Sequence, residues 1–114
     1  MQKDLPFIEM LRKILRYDPA TGVLYWRPRN LNTFRTDEIG REWNDENSGK
    51  EAFLTVEVGG ARSATINGRT KRAHRVAWAM HYGYCASWPI LHKNGDNSDN
   101  RIENLMQNPP KETP

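Results

Sequence analysis

Cysteine is nearly absent: Cys85 is the sole example among 114 residues. One thiol excludes an internal disulfide framework and a Cys-rich zinc site, and it suits a reducing cytoplasm. Long apolar runs are missing too, because the hydrophobic stretches extend only a few residues where a membrane span needs roughly 20. Met1-Gln2-Lys3-Asp4 lacks the basic and then apolar pattern of a secretion signal, so the expected localisation is cytoplasmic. A large excess of one charge is missing as well, with 17 Lys+Arg against 14 Asp+Glu, a formal +3. What remains is one small, mildly basic domain with a thin core, since a chain of about 100 residues buries only about two-thirds of its unfolded surface.

The charges are unevenly placed. Residues 1 to 36 carry Lys3, Arg12, Lys13, Arg16, Arg27, Arg29 and Arg35 against three acids, and 37 to 57 reverse this with Asp37, Glu38, Glu42, Asp45, Glu46, Glu51 and Glu57 against two bases. Arg62, Arg69, Lys71, Arg72 and Arg75 then follow without an acid. Basic segments flanking an acidic one suit a face that neutralises phosphates with salt-dependent affinity, although a solvated surface with nearly cancelling charge fits the same counts.

Leu5, Ile8, Leu11, Ile14 and Leu15 have helical spacing and predict an amphipathic helix over 5–17, with Asp4 as cap and Pro6 in the first turn. Asp18 to Gly22 read as a turn and Val23 to Trp26 as a strand. No period is evident from Pro28 to Ala52, which predicts a long acidic loop. Alternation across 53–58 and 61–67 about Gly59-Gly60 predicts a hairpin, and Asn67-Gly68 a turn. Ala73, Val76, Ala77 and Met80 predict a helix over 72–83 ending at Gly83. Residues 89–92 read as a short strand. The fold class is thus a small single α+β domain, divided as 1–27 helix and strand, 28–52 acidic loop, 53–83 basic hairpin and central helix, 84–108 a C-terminal motif and 109–114 a tail. Trp26, Trp78 and Trp88 are expected in apolar surroundings, Trp43 on the surface, and Cys85 as a small filler.

From His92 to Leu105 the chain packs Asn94, Gly95, Asp96, Asn97, Ser98, Asp99, Asn100, Arg101 and Asn104 behind one histidine. Asn and Asp side chains bond nearby backbone and can stiffen a loop that has no regular structure. Taken alone, this is a well-stitched surface loop.

Three pieces in order, however, resemble the HNH endonucleases, in particular the small homing-type proteins of bacteriophages and mobile elements. They are Tyr17-Asp18-Pro19 with Thr21-Gly22 before Leu24-Tyr25-Trp26, then His74-Arg75-Val76-Ala77-Trp78, then His92, Asn94-Gly95, Asp99-Asn100-Arg101 and Asn104-Leu105, a resemblance over most of the chain. It implies a ββα-metal element and hydrolysis of double-stranded DNA around a divalent cation, Mg²⁺ or Mn²⁺. His92 matches the general base, Asn104 the motif's middle Asn, and Asn94, Asp99 and Asn100 the loop bracing. Arg62, Arg69, Lys71, Arg72, Arg75, Lys93 and Arg101 are the expected phosphate contacts.

The metal ligands have no clear match. Leu91 occupies the position before the base, where the family places Asp or His, and an apolar side chain has no lone pair for a hard cation. Pro109-Pro110 forbids the helix that carries the other usual ligand, leaving Asn108, Asp96, Asp99 or His81 as substitutes. The readings that follow are an endonuclease, a DNA-binding relic without catalysis, and a phage protein that occupies a host protein through the acidic loop with Phe34 and Trp43.

Overall fold

The computed structural model describes residues 2–110; the tail beyond residue 110 lies outside the described residues. Helix α1 (Leu5–Ile14) buries Ile8, Leu11 and Ile14, the face its spacing predicts, with Pro6 in the first turn. It stops three residues earlier than expected. Leu15–Asp18 is strand β1, antiparallel to β2 (Val23–Trp26). Leu15 is buried, Arg16 exposed and Tyr17 half-buried, a period-2 pattern that pairing with β2 rewards and a further helical turn would break. Asp4 does not cap α1 through its side chain; its carboxylate accepts the Cys85 N–H at 3.1 Å, tying the helix start to the segment beyond the central helix.

The predicted acidic loop is largely helical. A 3-10 turn (Leu31–Thr33) precedes α2 (Asp37–Asn47). Thr36 caps α2 by accepting the Ile39 N–H at 3.2 Å, and Asp37 and Glu38 sit in the first turn, where carboxylates favour the helix dipole. Trp43 is half-buried, 5.4 Å from the Trp26 ring and 5.9 Å from Phe34. Neither Phe34 nor Trp43 is therefore the exposed aromatic expected, because α2 turns Trp43 onto Trp26 and Phe34, at the end of the 3-10 turn, packs against it. Gly40 admits this packing: a Cβ there would meet Phe34 at 2.7 Å and Leu31 at 2.8 Å. The chain then returns along β2, with Ala52 N–H on the Leu24 carbonyl at 2.8 Å.

A three-stranded antiparallel sheet follows, β3 (Thr55–Val56), β4 (Arg62–Ile66) and β5 (Arg69–Arg72). Asn67 and Gly68 both have positive φ, 52° and 79°, the two-residue turn that Asn-Gly favours. It leads into β5, a strand with no apolar residue and hence no hydrophobic period to announce it. Helix α3 (Ala73–Tyr82) ends at Gly83 in the left-handed conformation, as predicted. One face of α3 joins α1, β2 and β4 in the main core through Ala73, Val76 and Ala79. Ala77 and Trp78 join a second cluster with Ala86, Ile90 and Leu105, which seats the last sheet, β6 (Ile90–His92) antiparallel to β7 (Leu105–Gln107). Trp88, expected in the core, is 43% exposed, since it precedes the strand whose inward residue is Ile90. Among the described residues no helix is long and apolar enough to cross a membrane.

Candidate functional site

The β6–β7 connection is built from its own polar side chains. Asn104, 4% exposed, donates to Asn94 Oδ1 at 3.0 Å and to the Asp99 carbonyl at 2.8 Å, and accepts the Asn94 N–H at 3.0 Å. Asn94 Nδ2 in turn donates to Asp99 Oδ2 at 2.8 Å, and Asp96 accepts the Ser98 N–H and hydroxyl at 3.0 and 2.7 Å. The contacts to the Asn94 N–H, the Asp99 carbonyl and the Ser98 N–H satisfy backbone that no ladder reaches, and the others join side chain to side chain.

His92 closes β6 at the mouth of this loop. Its Nε2 lies 2.9 Å from Asn100 Oδ1, and Asn100 is 3% exposed. An amide oxygen only accepts, so Nε2 carries the proton in this contact, and Nδ1 is the nitrogen that holds the lone pair whenever the ring is neutral. The His74 ring, in the first turn of α3, stands edge-on to His92 with centroids 5.2 Å apart. Burial first, then His92, Arg75 and Arg72, push the His74 pKa down to about 4, so His74 is neutral at pH 7. The structure thus brings together His92, Asn100 and His74, while Asn104 sits behind them as the loop's knot. His74 has no role in the sequence reading beyond its place in the central-helix segment; only the packing of α3 against β6 puts it beside His92.

The expected phosphate contacts divide. Arg101 is occupied within its own loop, 2.8 Å from Asp99 and 2.6 Å from Glu103, and its hydrogen bonds hold the Asp99 carboxyl down at about 2. Arg72 pairs with Glu57 at 3.1 Å and Arg62 with Glu51 at 3.7 Å. Arg69, Lys71, Arg75 and Lys93 have no carboxylate partner among the described residues. Lys71 and Arg75 border a cleft of about 350 Å³ beside Phe7 and Cys85.

A hard divalent cation finds no matching donor set here. Leu91 is exposed opposite Met106, Asp99 and Asp96 are engaged as above, and His81 stands at the other end of α3 against Tyr17 and Tyr82. Asn108 follows β7, its N–H on the Pro89 carbonyl. Among the described residues no group of three or more His, Cys, Asp or Glu is placed to hold a metal.

Residues 71–113 match the family model of the HNH endonucleases. The match covers α3 and the β6–loop–β7 unit, so the resemblance expected over most of the chain is shown for its C-terminal part alone. No curated protein and no solved structure matches the chain.

Proposed function

We propose that this protein engages double-stranded DNA in the manner of an HNH endonuclease, and that hydrolysis at its site is weakened or lost. One juxtaposition carries the reading: His92, held by Asn100 in a loop knotted by Asn104, next to Leu91 where the family resemblance implies a metal ligand. In the reaction the motif serves, His92 Nδ1 takes a proton from water, the water oxygen bonds to phosphorus, and the bond to the 3′ oxygen breaks. His92 supplies the base. Leu91 offers no lone pair to hold a cation there, so the departing oxygen lacks the metal's share of stabilisation, a deficit of several kcal/mol and so of orders of magnitude in rate. Arg69, Lys71 and Lys93, with no carboxylate partner among the described residues, are placed to contact phosphates, while Arg75 donates to the Ala86 carbonyl at 2.9 Å; a bacteriophage or mobile-element protein working in a host cytoplasm is the setting for such a relic.

A supercoiled-plasmid nicking assay across Mg²⁺, Mn²⁺, Ni²⁺ and Zn²⁺ tests this, beside DNA binding measured in chelator. The expected result is at most a trace of nicking, salt-sensitive binding that survives chelation, and a metal-dependent gain of nicking in Leu91→Asp that disappears in Leu91→Asp/His92→Ala. Position 91 is exposed, so the substitution spares the core. Vigorous metal-dependent cutting by the unaltered protein would overturn the lost step, and salt-insensitive or absent DNA binding would overturn the DNA reading.

A further inference from the structure

The family match begins at Lys71, yet the His92 site leans on the opening hairpin. The Tyr17 hydroxyl donates to the Asn100 carbonyl at 2.5 Å, and the Ile102 N–H donates to the Pro19 carbonyl at 3.1 Å. Gly22, with φ of +79°, lies so close that a Cβ would fall 2.3 Å from the Arg101 nitrogen and 2.4 Å from the Asn100 carbonyl carbon. The β1–β2 turn therefore grips residues 100 to 102 from outside the motif. Asn100 has two jobs in this arrangement: its backbone is held by Tyr17, and its side chain holds His92.

We infer that Tyr17 is a positioning residue for His92, acting through Asn100 to hold the imidazole in the Nε2–H tautomer and keep Nδ1 as the free base. Asn104 and Asn94 bond to each other and to Asp99, and among the described residues neither side chain hydrogen-bonds to His92. The part of the loop where Asn100 sits is fixed by the hairpin. Burial keeps the Tyr17 phenol protonated well above its ordinary range, so the hydroxyl remains a donor at any pH where the site works. The unit that shapes the base is thus residues 15–26 together with 90–107, more than the matched segment.

The inference rests on His92 being the working group of the proposed function, but its readout does not depend on DNA being cut. In ¹⁵N–¹H spectra of histidine-labelled protein in alkaline buffer, where the rings are neutral, His92 is expected mainly as Nε2–H. Tyr17→Phe, which keeps the ring and removes the hydroxyl, is expected to move the tautomer ratio toward Nδ1–H by about fivefold, the weight of one ordinary hydrogen bond. Asn100→Ala is expected to move it at least as far, and Ala20→Ser, on the exposed tip of the same turn, to leave it alone. Asn100→Asp keeps the carbonyl that Tyr17 binds and offers only acceptor oxygens to the ring, so it should keep His92 mainly as Nε2–H. A folded Tyr17→Phe protein with a lower melting temperature and an unchanged ratio would reduce Tyr17 to scaffolding and overturn the inference. So would an unaltered protein found mainly as Nδ1–H, or an Asn100→Asp protein that moves to Nδ1–H although its acceptor is kept.

Discussion

The 92–104 loop and the 28–52 segment are both polar and both poor in hydrophobic period, yet they are ordered by opposite means. The loop is held by short-range bonds between its own amides and carboxylates, with Asn104 joined to Asn94 and Asp99. The segment is held by three aromatic rings, Trp26, Phe34 and Trp43, one of which lies outside it. Asn44 adds one polar clasp, accepting the Arg29 N–H at 2.9 Å and donating to its carbonyl at 3.0 Å. Polarity of sequence therefore does not distinguish a loop from a helix; what matters is whether the polar groups find partners nearby or the few apolar ones find partners far away.

The sharpest way to break the contrast is Asn104→Ala. It strips three hydrogen bonds from a buried position and leaves the Asn94 N–H and the Asp99 carbonyl without their partner, a loss of about 3 kcal/mol in denaturant unfolding. Asn104→Leu should do no better, because bulk cannot replace the bonds. Trp43→Ala tests the aromatic side. With the ring half-buried, about 2 kcal/mol is expected, accompanied by loss of α2 signal in circular dichroism while the His92 resonances stay in place.

A third test uses pH. His74 has a folded pKa of about 4, below its ordinary 6.5, so the unfolded chain takes up a proton first. The stability this neutral ring allows is complete above pH 6.5 and declines as pH falls toward 4. The ring is partly open to solvent, and allowing for screening the decline amounts to about 1–2 kcal/mol. His74→Gln should flatten that part of the stability profile. Thr36→Ala, which removes the α2 cap, should cost about 1 kcal/mol. The smallest effect belongs to Arg41→Ala: the Arg41–Asp37 pair is 4.0 Å apart with side chains 63% and 66% exposed, and its loss should stay within about 0.5 kcal/mol.

Where a residue's partners lie within a few positions, the fold was legible. The α1 face, the Asn67-Gly68 turn, the α3 period with its Gly83 stop, and β6 all follow from local spacing. Helix α2 escaped because its apolar signal is reduced to Ile39 and Trp43 around a buried Gly40; Thr36 followed by Asp37-Glu38 was the available clue. Strand β5 escaped because Arg-Thr-Lys-Arg has nothing to bury. Within the candidate site, His92 stands out by its setting, but the choice of Asn100 over Asn104 as its direct partner does not.

The amino-acid order by itself determined the loop chemistry after His92, the apolar side chain at Leu91 and the two Gly-ended elements, because each depends on bonds or φ angles within a few residues. Tertiary structure decided that Leu15–Asp18 leaves the helix for a strand, that His74 meets His92, and that Tyr17 and Gly22 close on Asn100. Those contacts join positions that span as much as 83 residues, and no local preference encodes a partner that arrives only when α3 and the opening hairpin pack against the last sheet.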